Sequence, residues 1–161
     1  MATLTTTISE AVTINSQQRG STNVLTITGI EHTFERVVTI PASADSTVLL
    51  TKDTIASSDG AVDIQDTKYI RITNLESSNP AILSLQIDTA ENDSDAADQA
   101  SIYLEAGKSF IMGVPHEGIE VDSTSKVASV ATATLLDLES IIVDPFAAAV
   151  KVEVFIASVV A

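Results

Sequence analysis

Cysteine is absent from this 161-residue chain, which removes disulfide frameworks, thiolate zinc sites and thiol nucleophiles together. Tryptophan is absent too, beside two Tyr and four Phe, so the aromatic platforms on which a glycosidase seats sugar rings are scarce. Positive charge is in short supply: eight Lys and Arg stand against twenty-two Asp and Glu, a net charge of −14. Such a surface cannot replace the counterions around phosphate groups, and nucleic acid is not an expected partner. No apolar run approaches the roughly 20 residues needed to cross a bilayer. The most apolar stretch, Val150 to Ala161, reads VKVEVFIASVVA and fits a buried strand, so no membrane partner is expected. The first twenty residues carry neither a basic leader nor a continuous apolar segment, which predicts no secretory signal. Without export, the Asn92-Asp93-Ser94 glycosylation pattern carries almost no weight.

What is present is apolar and β-branched. Hydrophobic residues make up 45% of the chain and the mean hydropathy is +0.29, which excludes disorder. With no long Gly-Ser or Pro-rich linker and no solenoid repeat, a single domain over residues 1–161 is expected. Thr, Val and Ile supply about a third of the residues; their branched Cβ atoms suit the half-buried face of a sheet better than a helix. The fold class is therefore all-β.

Period-two alternation locates the strands. Phe34, Arg36, Val38 and Ile40 share one face of a run that Pro41 ends. In Tyr69–Thr73, Ile70 and Ile72 face one way, and in Ile82–Ile87 the apolar face is Leu83, Leu85 and Ile87. The Asn74 to Pro80 loop between these two runs predicts an antiparallel pair. A second hairpin is predicted to join Ser101–Leu104 to Ser109–Met112 through Glu105-Ala106-Gly107-Lys108, where Gly107 supplies the positive φ of a tight turn. Further strands are expected at Ile8–Ile14, Val24–Ile30, Thr47–Leu50, Gly118–Val121 and Val150–Val159. Leu135–Val143 reads instead as a short helix or turn, because Leu135, Leu138, Ile141 and Ile142 fall on one helical face. Eight to ten short strands predict an antiparallel two-sheet sandwich, of which a jelly roll is one form. The Thr-rich start, residues 1–10, suits either an exchanging N-terminal arm that adds a strand to a neighbour or an edge strand of its own sandwich.

Reactive constellations are few. Gly107-Lys108-Ser109 resembles the end of a phosphate loop, but the first glycine should stand five residues earlier, where Ile102 is found; a turn is the better reading. The acidic stretch from Asp88 to Asp98 gathers hard oxygen ligands, and Asp88, Glu91, Asp93, Asp95 and Asp98 are its candidates for calcium. No EF-hand register fits them, since Asp98 falls where glycine is required, and a solvated acidic loop is the plainer reading. His32 and His116 belong to no metal-binding pair pattern, and no Gly-x-Ser-x-Gly elbow accompanies them. Asp137 and Glu139 are two apart, as carboxylates often are in so acidic a chain. No cofactor and no enzymatic activity are expected. Acid is concentrated late: residues 1–80 hold five basic and nine acidic side chains, residues 81–161 three and thirteen, giving −4 and −10.

Arg71-Ile72-Thr73-Asn74-Leu75, then Leu83 to Ile87, an acidic loop, and Leu104-Glu105-Ala106-Gly107-Lys108-Ser109-Phe110-Ile111-Met112 together resemble small virion structural proteins of tailed bacteriophages, marine and cyanobacterial ones in particular. The resemblance covers about residues 68–113 and continues more weakly through Gly118 and Val152–Ile156. It implies a capsid decoration or cement protein, made in the host cytoplasm. Such a protein is a homo-oligomer bound to the major capsid protein lattice on the capsid exterior. The alternatives are a phage tail or neck component, or a non-viral ligand- or calcium-binding sandwich module. Families of this kind are defined by fold and location, so no individual binding residue transfers.

Overall fold

The computed structural model describes residues 1–52, 62–87, 98–119 and 135–159. Its regular elements are all strands: β1 (Ala2–Ser9), β2 (Val12–Ile14), β3 (Gln17–Arg19), β4 (Thr22–Ile30), β5 (His32–Ile40), β6 (Ser46–Lys52), β7 (Val62–Asp63), β8 (Thr67–Asn74), β9 (Ala81–Ile87), β10 (Asp98–Leu104), β11 (Ser109–Met112), β12 (Leu138–Asp144) and β13 (Val150–Ser158). Two sheets form the body, one in the order β10-β9-β12-β6-β7 and the other in the order β11-β8-β13-β5. Leaving aside the two-residue β7, β5 pairs with β13, β6 with β12, β8 with β11 and β9 with β10, all antiparallel. Strands of the first half thus pair with strands of the second half in reverse order. The strand count predicted a two-sheet sandwich, and this wrapped double ribbon is its jelly-roll form.

The sheets meet through aliphatic side chains. Ile70, Ile72, Val152, Val154 and Ile156 of one sheet enclose a core with Leu83, Leu85, Ile141 and Val143 of the other, all nearly or wholly removed from solvent. The predicted alternation holds in β9 and β13, and in β5 only at its end, where Val38 and Ile40 turn inward while Phe34 and Arg36 are exposed. Burial of Leu83, Leu85 and Ile87 strictly alternates with half-exposure of Ile82, Ser84 and Gln86. At the sandwich edge the exposed Arg36 of β5 donates to the Val48 carbonyl of the opposite sheet.

Three local expectations are corrected. The run Leu135–Val143 is not helical: its second half is β12, between β9 and β6. Glu139 is an extra residue in the β12–β9 ladder, for Leu138 faces Ile87 while Ser140 faces Gln86. That bulge puts Leu138 and Ile141 on the same buried face three residues apart, and the spacing imitates a helical stripe. Secondly, Tyr69–Thr73 and Ile82–Ile87 do not pair, because β8 and β9 lie in opposite sheets. Thirdly, Ser101–Leu104 and Ser109–Met112 do not form a hairpin: β10 pairs with β9 and β11 with β8. Both connections cross from sheet to sheet.

Asn74 fastens these crossings to each other. Its backbone N–H donates to Lys108 O at 2.9 Å and its carbonyl accepts from Gly107 N–H at 3.0 Å. Its side-chain amide donates to Asn79 O at 2.8 Å and Leu104 O at 3.3 Å, while Oδ1 accepts from Glu76 N–H at 3.0 Å. Gly107 does take the positive φ expected of it, at 72°. Asn74 is fully buried, so removing its amide leaves Leu104 O buried without this donor and also removes the half-buried bonds to Asn79 O and Glu76 N–H. Asn74→Ala is expected to cost about 2–4 kcal/mol in chemical denaturation, since each buried group left unpaired costs about 1–3 kcal/mol; a loss below about 0.5 kcal/mol would contradict this role.

Candidate functional site

Residues 2–30 stand apart from both body sheets. Ala2–Ser9, for which the sequence permits an exchanging arm or an edge strand of the sandwich, pairs with Thr22–Ile30 of its own chain. The pairing continues outward without change of register: Ser9 faces Thr22 and Val12 faces Arg19, with Glu10 N–H donating to Ser21 O at 2.9 Å between them. Asn15 and Ser16 close the end with φ of 52° and 63°, the left-handed pair of a type I′ hairpin turn. β1 to β4 are therefore one long two-stranded ribbon. Gly20 permits its close crossing: φ is 116°, and a Cβ there would stand 2.1 Å from Glu10 O.

Alternation sorts the ribbon side chains onto two faces. Directly opposed residues share a face, so Leu4 with Ile27, Leu25, Ile8, Val12 and Ile14 line one side. Thr3, Thr5, Thr7, Thr26 and Thr28 line the other, with Val24. The apolar side is covered at its base. There Leu4, Ile27 and Ile30 pack on Tyr69, Phe155, Ala157 and Val159 from the outward face of the β11-β8-β13-β5 sheet. Tyr69 and Phe155 meet edge to face at 6.1 Å. Arg71 pairs with Glu153 at 2.6 Å and lies 5.8 Å from the Phe155 ring centroid. Glu31 N–H donates to Ser158 O at 3.0 Å and ties the foot of β4 to β13. Between ribbon and sheet runs a groove of about 400 Å³ lined by Leu4 to Ile8, Tyr69, Arg71, Ser109, Ile111 and Phe155.

Beyond that base no described residue covers the apolar side. Every residue from Thr7 to Thr26 is exposed, and Ile8, Val12, Ile14 and Leu25 are 47–56% accessible. Two-stranded ribbons are marginal in water on their own, and among the described residues no further strand pairs with either edge of this one. Charge separates ribbon from body: residues 1–30 hold one acid, Glu10, and one base, Arg19, for a net charge of zero. Residues 31–161 hold twenty-one acids and seven bases, for −14. The ribbon is thus amphipathic and net-neutral beside an acidic sandwich, and exposed apolar area with open strand edges is the kind of surface that binds other proteins.

The residues singled out from sequence chemistry fall elsewhere. Asp88, Glu91, Asp93 and Asp95 lie outside the described residues. Asp98 opens β10 opposite Ile87, its side chain likewise outside the description. Among the described residues no group of three His, Cys, Asp or Glu side chains is placed to hold a metal ion. His32 is exposed at the start of β5, facing Ser158. His116 is joined by a residue that sequence spacing did not connect with it: its Nδ1 lies 2.9 Å from Asp137 Oδ1, which also accepts from Glu117 N–H. The pair lies beside the isolated bridge between Ile119 and Leu136. Among the described residues no hydroxyl is hydrogen-bonded to the other imidazole nitrogen. The ribbon tip went unseen in the sequence because Ile8–Ile14 reads as one strand, yet Asn15-Ser16 and Gly20 are the turn and crossing signals that delimit it.

No protein-family model matches the chain, and no curated protein matches it at significance. A solved structure of Bacillus endospore appendages, described as a novel family of disulfide-linked pili, is similar over 80% of this chain and 89% of its own, with a TM-score of 0.39 and 10% identity.

If the tip is an appendage to a self-sufficient body, its loss will be local. Gly20→Ala forces an L side chain into a conformation costing about 1–3 kcal/mol and against the Glu10 carbonyl. The expected outcome is faster amide hydrogen exchange from Thr7 to Thr26 with the thermal unfolding of the sandwich displaced by less than about 2 °C. A cooperative loss of the whole domain would show that the ribbon is part of the core.

Proposed function

We propose that this chain is a structural subunit of a larger particle, working by assembly and without a catalytic centre or bound cofactor. On the resemblance of residues 68–113, it is a decoration protein on the outer shell of a tailed-phage head. The observation that carries this reading is the ribbon, whose covered base and uncovered tip share one apolar face. A free monomer gains nothing by exposing that face, and a subunit in a lattice covers it. The acidic body supports the same reading, since a surface of −14 keeps the outward side of a densely packed shell hydrated and resists non-specific aggregation. The contact at one tip is small, and many symmetric copies on a shell make such a contact effective through avidity.

Shortening the ribbon tests this directly. Replacing residues 10–21 by Asn-Gly joins Ser9 to Thr22, which already face each other, through a favoured hairpin turn. The shortened protein is expected to fold and to lose at least about tenfold in co-sedimentation with intact phage heads, as removal of a central apolar contact does. Undiminished binding to the heads would contradict the tip as the assembly surface, and absence of the full chain from any particle would contradict the virion role.

A further inference from the structure

Resting on the reading of the tip as an assembly surface, we infer that its partner is a second copy of this chain. The two tips pack antiparallel, apolar face on apolar face, with Glu10 of each copy paired to Arg19 of the other. Three observations converge on this arrangement.

The first is the distribution of charge. Two bodies of −14 repel at close range, and the screening length at physiological salt is about 8 Å. The neutral residues 1–30 are where copies can meet with least repulsion. From Thr7 to Ile14 the ribbon extends about 26 Å, at about 3.3 Å per residue. Tips overlapped antiparallel therefore leave the bodies at opposite ends, separated by more than the screening length.

The second is the position of the two charges. Arg19 faces Val12 across the ribbon, on the apolar side, and Glu10, two residues before Val12, falls on that same side by strand alternation. Among the described residues neither makes an ion pair within the chain; Arg19 donates to Gln17 Oε1 at 3.1 Å, a local contact between exposed side chains. One acid and one base stand a single step to either side of the Ala11–Gly20 level. A two-fold axis across the ribbon at that level exchanges the two steps: it lays Glu10 of each copy over Val12 of the other, with Arg19 at the same level on the adjacent strand, so that two equivalent ion pairs form diagonally across the strands.

The third is the match of apolar rows. The same axis sets Ile8 of one copy over Ile14 of the other, the two residues lying equally far from Ala11. The apolar contact is thus the Ile8–Ile14 pair made twice, with Val12 packed on the stem of the partner copy's Glu10 and polar residues flanking it on the second strand, a pattern that repeats identically on both copies as an isologous dimer requires. The contact is at the low end of interface sizes, so the isolated dimer is weak and reversible.

Sedimentation equilibrium of the full chain from about 5 to about 500 µM reads this out, over the range where a small interface associates. The wild type is expected to pass from monomer to dimer. Glu10→Arg and Arg19→Glu each create facing like charges and weaken association about tenfold, while the double exchange returns it to within about threefold of wild type. Ile14→Ser, which removes apolar area and no charge, also weakens it. All four variants are expected to melt with the wild type, because these side chains are exposed in the monomer. A chain monomeric throughout, single variants that associate like wild type, or a double exchange no better than the singles would overturn the inference. A monomer that still binds phage heads through its tip would assign the tip to a shell protein and leave the proposed function standing. A dimer that binds no particle would leave the inference standing and end the virion reading.

Discussion

Reverse-order pairing of early strands with late ones governs everything else in this molecule. β5 meets β13 and β6 meets β12, so the core between Ile70, Ile72 and Val154 on one side and Leu83, Leu85 and Ile141 on the other closes when the two halves of the chain meet. Most connections must then cross between sheets, and their backbone groups need partners at the crossing. Asn74 supplies several of these for two neighbouring crossings, which accounts for a fully buried polar side chain in a mostly aliphatic interior. A topology so rich in distant contacts folds slowly compared with a helical bundle.

The same wrapping leaves one sheet with an outward face that is not wholly polar. Tyr69, Phe155 and Ala157 point away from the main core, and the foot of the N-terminal ribbon covers them. The ribbon is therefore anchored where the body needs cover and unsupported where it extends past the body. Its tip places Ile8, Val12, Ile14 and Leu25 in water, in a region of zero net charge beside a body of −14. In the proposed assembly, exposed apolar area and low net charge coincide on this one surface.

The sequence was legible wherever one face of a strand is buried and the other is not. Ile82–Ile87 and Val150–Ser158 alternate cleanly, and the structure buries the sides expected of them. Partners were not legible. Loops such as Asn74–Pro80 and Glu105–Lys108 have the composition of hairpin turns, and nothing local distinguishes a turn that reverses within a sheet from one that crosses to the next. Leu135–Val143 misled for a different reason, because the extra residue at Glu139 shifts the apolar spacing from two to three. The ribbon tip combined both difficulties. Val12 and Ile14 alternate with Thr13 as a core strand would, and burial, the property that separates a core strand from an exposed one, is set by what lies around it in space. Chemistry-bearing residues behaved likewise: His116 and Asp137, twenty-one positions apart, meet only through the bridge that joins Ile119 to Leu136.

The most direct measurement of the central claim is amide hydrogen exchange compared between the free protein and the protein in its assembled state. The account predicts that new protection appears from Thr7 to Thr26, where every residue is exposed in the isolated chain, while β9, β12 and β13 exchange as before. Protection gained instead along the sandwich edges β5 or β10, with the ribbon tip still exchanging freely, would contradict it.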